Sequence, residues 1–156
     1  MLVKLLELKY RLARLLIIPF FVLITVLQVF SFPGQFNQMR EVKSIEFLLE
    51  LFLTLLVGGW LLCGQIALVI LWKLLGKMQQ NQFFSISSLK LLDRLVLVTR
   101  IAALVPLVLF TALIWQADDP GFFVLLTSIG LFLVTFHLVI DLLRNQIRQA
   151  IEGARP

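Results

Sequence analysis

The sequence has little cysteine, histidine or charge, and each shortage excludes a class of protein. Cys63 is the only cysteine in 156 residues, so an intramolecular disulfide and disulfide exchange between paired cysteines are both excluded. His137 is the only histidine and has no cysteine near it in sequence, so no metal site is predicted. No glycine-rich phosphate loop, Ser/His/Asp arrangement or pair of catalytic carboxylates is present. We therefore expect a protein that is not an enzyme and that binds no cofactor.

Apolar residues dominate what remains. They make up 60% of the chain, and the mean hydropathy is +1.00, whereas soluble domains are about 45–50% apolar. A chain this short has a high ratio of surface to volume. It cannot bury so much apolar surface inside a water-soluble globule, so its expected solvent is lipid.

Long runs without charge locate the membrane-spanning segments. A helix needs about 20 residues to cross the hydrocarbon layer, and the runs are too long and too uniformly apolar for the alternating strands of a barrel. We predict an all-α, polytopic four-transmembrane-helix bundle forming one membrane domain over residues 1–156. The predicted spans are residues 15–32, 47–72, 96–115 and 121–143, with a cytoplasmic loop at 73–95.

The positions of lysine and arginine predict the orientation. With four spans, eleven of the 14 basic residues fall on one side of the membrane and only Arg40 and Lys43 on the other. The eleven are Lys4, Lys9, Arg11, Arg14, Lys73, Lys77, Lys90, Arg94, Arg144, Arg148 and Arg155. Because basic residues collect on the cytoplasmic side, both termini are expected there. The net charge of +5 is then a topology signal, and no direct nucleic-acid partner is expected.

The N-terminal segment has two interpretations. Lys4, Glu7, Arg11 and Arg14 fall on one helical stripe. In the first, the segment is an amphipathic helix that lies on anionic lipid or docks a partner. In the second, it is a cytoplasmic extension of the first span. A cleaved signal peptide is disfavoured, because no small-residue cleavage pattern follows Val29.

Three polar residues in the last two spans form a candidate site. Arg100 lies about one turn into the third span, where a charge is costly and usually paired. Asp141 is expected at a similar depth, and His137 lies one turn deeper on the same face. We predict an Arg100–Asp141 pair with His137 beside it. The pair is either structural, holding two helices in register, or part of a proton-linked or ligand-sensing site.

Proline and small residues predict how the helices meet. Pro106 lies in the middle of the third span, where it is expected to kink the helix and act as a hinge or as a packing element. Thr54, Gly58, Gly59, Cys63 and Gly64 give the second span a small-residue surface that permits close helix approach. The neighbour is either internal or a second copy of the chain, as in a homo-oligomer.

The middle loop carries a local signal of its own. Ser85 is expected to cap the N-terminus of the next helix, with Phe83 and Phe84 pressed into the interface or the bundle. Residues 86–94 then form an amphipathic lead-in to the third span, with Lys90, Asp93 and Arg94 facing water. The turn containing Asn81, Phe84 and Ser85 is either a stable re-entry turn or, with the two tails, a docking face.

The same loop resembles a family. Asn81-Gln82-Phe83-Phe84-Ser85, followed by Ser88-Leu89-Lys90 and Leu95, is similar to the "N-x-x-F-S … L-x-x-I" stretch of a bacterial membrane-protein family known only as a domain of unknown function. Asp118-Asp119-Pro120-Gly121 resembles the acidic-Pro-Gly turn of that family, and Asp141-Leu-Leu-Arg144-Asn145 resembles the end of its last span. The resemblance covers roughly residues 64–151 and fits the first half only by hydropathy.

The resemblance implies four helices, cytoplasmic termini and a place in the bacterial plasma (inner) membrane. Members are often encoded beside a small Cro-like helix-turn-helix regulator, which implies a cytoplasmic partner of that kind. We therefore expect a non-enzymatic regulatory or partner-binding protein that acts through its basic cytoplasmic face. The alternative is a small transporter or pore-forming oligomer, although the chain lacks an ionisable residue near the midplane of the membrane.

Overall fold

Four long helices make up the part of the chain that the structure describes. The structure, a computed structural model, describes residues 2–31, 47–113 and 120–153. Helix α1 runs over Leu2–Val26 and passes into a π-helical turn at Leu27–Ser31. Helix α2 spans Phe47–Gln79, α3 spans Ile86–Leu113 and α4 spans Pro120–Gly153. All four are long and apolar enough to cross a membrane, and the fold is an all-α four-helix bundle.

The helices extend beyond the predicted spans at one end of the bundle. Helix α2 has 33 residues, which at 1.5 Å per residue makes it about 50 Å long, against about 30 Å of hydrocarbon. Helix α4 continues from the predicted span end at residue 143 to Gly153. We call this end, where α1 and α3 begin and α2 and α4 end, the basic end.

The helices pack in chain order. The main contacts join α3 with α4, α2 with α3, and α1 with α2. Between α3 and α4, Asp93 meets Arg144, Thr99 meets His137 and Pro106 lies against Gly130. The contacts pair later residues of α3 with earlier residues of α4, so these two helices are antiparallel neighbours.

Two clusters of buried side chains hold the bundle together. The cluster nearer the basic end contains Ile70, Leu74, Leu92, Leu95, Val96, Ile140 and Ile147. The other contains Leu53, Val57, Val105, Leu109 and Leu126. Most of the remaining large apolar side chains on the described helices are exposed, which is the arrangement expected when lipid is the solvent.

The last turns of α4 are part of the first cluster. Ile147 is only 2% exposed, and Ile151 packs against the same residues. Burial of these two side chains against α3 explains why the polar segment after residue 143 stays helical, since packing of an apolar stripe stabilises a helix more than intrinsic propensity does.

The acidic-Pro-Gly turn falls at the limit of the described residues. Asp118 and Asp119 lie outside them. Helix α4 begins at Pro120, a residue favoured at the first position of a helix because its missing N–H would be unpaired there anyway.

Candidate functional site at the basic end

The turn that joins α2 and α3 has a defined backbone structure. Asn81 adopts a left-handed conformation with φ of 54°, which asparagine tolerates better than most residues. The Gln82 N–H donates to the Lys77 carbonyl at 2.9 Å, and the Asn81 N–H donates to the Met78 carbonyl at 3.2 Å. These two bonds form a Schellman motif, which ends α2.

Serine residues start the next helix. The Ser85 hydroxyl accepts the Ser88 N–H at 3.3 Å, the arrangement expected of an N-cap. Ser88 has no exposed surface, and its hydroxyl donates to the Gln82 carbonyl at 3.0 Å. Lys77 donates to the Ser87 hydroxyl at 2.6 Å. The turn is therefore tied to both helices that it joins.

The two phenylalanines of the turn have different environments. Phe83 packs against the buried cluster nearer the basic end and meets Phe84 edge to face at 5.6 Å between ring centroids. Phe84 is 68% exposed and Ile86 is 54% exposed. Of the two predicted positions, the bundle holds for Phe83 but not for Phe84, whose placement at the membrane interface stays a prediction. We call Phe84 and Ile86 the apolar tip.

A groove lined by five cations lies beside the turn. It is an open groove of about 660 Å³, and its basic side chains are Arg14 of α1, Lys73 and Lys77 of α2, and Lys90 and Arg94 of α3. The other described lining residues are Trp72, Gly76, Gln80, Ser87 and Leu91, and no described carboxylate lines it. We call it the basic groove.

Arg14 is held in place by α2. Its guanidinium carbon lies 4.5 Å from the centre of the Trp72 ring, a cation–π contact. Its Nη1 donates to Gln79 Oε1 at 3.1 Å. Its Nε is buried and has no hydrogen-bond partner. Arg14 is therefore a packing residue of the groove, and the predicted stripe does not face water uniformly.

The acids near the basic end are neutralised away from the groove. Arg144 Nε lies 2.5 Å from Asp93 Oδ1, and its Nη1 lies 3.4 Å from Asp141 Oδ1. Arg148 Nε lies 3.9 Å from Glu152 Oε1. Each carboxylate whose side chain the structure describes thus has an arginine neighbour on α4. Asp93, which is predicted to face water, is 42% exposed and also joins α3 to α4.

The predicted Arg100–Asp141 pair is wrong. Asp141 contacts Arg144, and Arg100 is exposed with no ion pair or hydrogen bond to any described residue. The helix register explains the difference. Because Asp93 lies opposite Arg144 and Thr99 opposite His137, the α3 position opposite Asp141 is near Val96. Arg100 lies about one helical turn, or roughly 6 Å, deeper than that.

His137 has a different partner from the predicted one. Its Nδ1 lies 3.0 Å from the Thr99 hydroxyl, and this hydroxyl also lies 3.0 Å from the Leu95 carbonyl. Because the hydroxyl has one proton to donate and lone pairs that accept, it can hydrogen-bond the Leu95 carbonyl on α3 and His137 on α4 at the same time. The three predicted site residues therefore do not form one cluster.

Pro106 packs directly on α4. It is buried inside α3, and a Cβ added at Gly130 would lie 3.5 Å from its Cβ. An added Cβ would thus be in ordinary van der Waals contact with the proline, and a larger side chain at Gly130 would meet its ring. This contact is the packing role that the sequence allowed for Pro106, and its use as a hinge stays a prediction.

The small-residue surface of α2 faces α1. The Gln28 amide donates to the Gly58 carbonyl at 3.2 Å, and the Gln65 amide donates to the Thr25 hydroxyl at 2.9 Å. Gly64 approaches Ile24 within 3.8 Å, measured from an added Cβ. At Gly59 an added Cβ would meet nothing within 4 Å. One neighbour of this surface is therefore internal.

Sequence reasoning missed Thr99, Arg144 and the Arg14–Trp72 contact. A signal existed for Arg144, which lies three residues after Asp141 and is a local partner on one helix face. Thr99 and Trp72 gave no comparable signal, because their partners depend on helix register. Among the described residues, no three His, Cys, Asp or Glu side chains are grouped as metal ligands.

Comparison with known families identifies the family of this chain. The family model DUF2975, described as a protein of unknown function, matches residues 15–154. The chain belongs to the DUF2975 family. The match includes the first half of the chain, which the loop resemblance reached only by hydropathy. Searches of curated proteins and of solved structures found no match.

Proposed function

We propose that this member of the DUF2975 family is a non-enzymatic protein of the bacterial inner membrane that docks a cytoplasmic regulatory partner on its apolar tip. The observation that carries the proposal is the exposure of Phe84, 68%, in a turn that is fixed at both ends. An exposed aromatic side chain on a rigid support is typical of a binding hot spot.

Charge supports a cytoplasmic position for the tip. The turn lies at the end of the bundle where Lys73, Lys77, Lys90 and Arg94 cluster, and basic residues favour the cytoplasmic side. Helix α2 continues beyond the predicted span, so the tip stands clear of the hydrocarbon layer. Contact with the hydrocarbon layer therefore does not account for its exposure.

The chemistry of the tip defines the partner. Phe84 and Ile86 require an apolar pocket, and the neighbouring cations Lys77 and Lys90 favour an acidic rim around it. The resemblance of the loop favours a small helix-turn-helix regulator, which this protein would hold at the membrane and release. No observation on the described residues favours the transporter or pore alternative.

A matched pair of variants tests the docking surface. The tagged wild-type chain, Phe84→Ala and Phe132→Ala are expressed at equal levels and isolated from native membranes. Phe132 is a lipid-facing phenylalanine of similar exposure, 66%, so its variant makes the same chemical change away from the tip. Recovered cytoplasmic proteins are identified by mass spectrometry, and binding is repeated with the purified partner.

We expect Phe84→Ala to weaken binding by about 2 kcal/mol, or roughly 30-fold, as for a hot-spot residue, and Phe132→Ala to bind as the wild type does. The proposal fails if the wild type recovers no cytoplasmic protein and deletion of the gene leaves transcription unchanged. Equal binding by the two variants would also contradict it.

A further inference from the structure

We propose that the basic groove binds the phosphate headgroup of an anionic phospholipid from the inner leaflet. The groove borders the apolar tip and includes Lys77 and Lys90, but the inference does not depend on any protein partner. It rests on the charge of the groove and on its depth relative to the membrane.

Among the described side chains, none compensates the charge in the groove. Five cations line it and no described carboxylate does, while Asp93, Asp141 and Glu152 contact arginines of α4. Within the described part of the chain, Lys73, Lys90 and Arg94 make no hydrogen bond or ion pair. Cations held together without counter-charge favour an anionic ligand, and basic pockets between membrane helices bind phospholipid headgroups.

The depth of the groove matches the headgroup layer. Arg14 immediately precedes the first apolar run, Lys73 immediately follows the second, and Arg94 lies just before the third. The polar ends of three spans therefore meet at one level, and all three residues line the groove. Trp72 lies at the same level, as tryptophans at membrane interfaces do.

The shape of the groove fits a headgroup. Its volume of about 660 Å³ lies within the range of about 300–1,000 Å³ for ligand sites. Leu12, Leu15 and Leu16 are exposed on α1 beside Arg14, which leaves apolar surface for the acyl chains.

Native mass spectrometry of the full-length protein in detergent tests the proposal. The lipids are cardiolipin and phosphatidylglycerol, with phosphatidylcholine as the zwitterionic reference. The groove variant carries Lys73→Gln, Lys90→Gln and Arg94→Gln. The control carries Lys9→Gln, Arg11→Gln and Arg148→Gln, which removes three exposed charges outside the groove. Circular dichroism and gel filtration verify that each variant is folded.

We expect the wild type to bind anionic lipid at least about 10-fold more tightly than phosphatidylcholine, since each basic residue near a membrane surface contributes about 1 kcal/mol. The groove variant loses this preference and the control keeps it. An equal loss in both variants means that binding follows net charge and overturns the proposal. Absence of a preference in the wild type overturns it whether or not the variants fold.

A competition experiment distinguishes the source of the phosphate. Inorganic phosphate and glycerol 3-phosphate are added at millimolar concentration to the lipid-bound wild type. If the site recognises a membrane lipid, we expect both to leave the lipid bound. Displacement of the lipid by either one assigns the groove to a soluble phosphate compound and overturns the lipid assignment. Neither outcome bears on Phe84, because no protein partner is present.

Discussion

Replacement of Arg144 tests the contact that joins the last two helices at the basic end. Arg144 Nε is 2.5 Å from Asp93 on α3, and its Nη1 is 3.4 Å from Asp141 on α4. The side chains of Arg144 and Asp93 are 25% and 42% exposed. Water therefore screens this ion pair in part, and its energy lies between that of a surface pair and that of a buried pair.

The expected size of the interaction follows from those values. Two unit charges 4 Å apart interact by about 1 kcal/mol in water and about 4 kcal/mol at an effective dielectric constant of 20. Hydrogen bonds to charged groups contribute about 1.5–3 kcal/mol. With partial exposure, we expect a coupling free energy of about 1–2 kcal/mol between Arg144 and Asp93.

A double-mutant cycle measures this coupling. Arg144→Gln, Asp93→Asn and the double variant are unfolded thermally in one detergent, at low salt and at high salt. The cycle cancels the effect of Asp141, which is present in all four proteins. The control cycle uses Arg148→Gln and Glu152→Gln, whose side chains are 3.9 Å apart and 49% and 68% exposed.

We expect the control pair to couple by about 0.3–0.5 kcal/mol, as exposed pairs at this helical spacing do. Salt is expected to weaken it more than the Arg144–Asp93 pair, since exposed charges are screened more strongly. A coupling for Arg144 and Asp93 no larger than that of the control would refute the reasoning.

Three other predictions concern stability and use the same unfolding assay. Gly130→Leu places a side chain against Pro106 and is expected to lower the free energy of unfolding by about 1–3 kcal/mol. Gly59→Leu is the control and is expected to be tolerated, because an added Cβ there meets nothing within 4 Å. Equal losses of stability in the two variants would contradict the contact between Gly130 and Pro106. Ser85→Ala removes the N-cap and is expected to cost about 1 kcal/mol, and an unchanged stability would show that the cap contributes nothing. Thr99→Val is expected to lower the free energy of unfolding by about 1–3 kcal/mol, because His137 Nδ1 loses its hydroxyl partner. Thr99→Ser keeps the hydroxyl and is expected to cost less. The reverse order would contradict the hydrogen bond between Thr99 and His137.

The fold was accessible from sequence because its signals are local. Each predicted span is close to the length needed to cross a membrane, and the Ser85 cap depends only on neighbouring residues. The extension of α4 carried a weaker local signal, since Ile140, Ile147 and Ile151 recur at helical spacing within a polar segment. That stripe predicts a helix buried on one side. A prediction based only on apolar spans ends the helix at residue 143 and misses this extension.

The candidate site was less accessible because it depends on register. A shift of about one turn between α3 and α4 separates Arg100 from Asp141 and brings Thr99 to His137. Likewise, the basic groove exists because Arg14, Lys73 and Arg94 of three helices reach one level. Residue spacing within a helix predicts its faces, but spacing alone does not predict which residues of two helices meet.

The most direct test of the account is the side of the membrane on which the basic end lies. Cys63 is replaced by serine, and single cysteines are introduced at Lys9, Gln80 and Glu152, with Ser44 as the position expected outside. Intact cells are treated with a membrane-impermeant maleimide. The account predicts labelling at position 44 only, and labelling of the other three after the membrane is permeabilised. If only one of positions 9 and 152 were labelled in intact cells, four membrane crossings would be contradicted. Labelling of position 80 in intact cells would contradict the orientation.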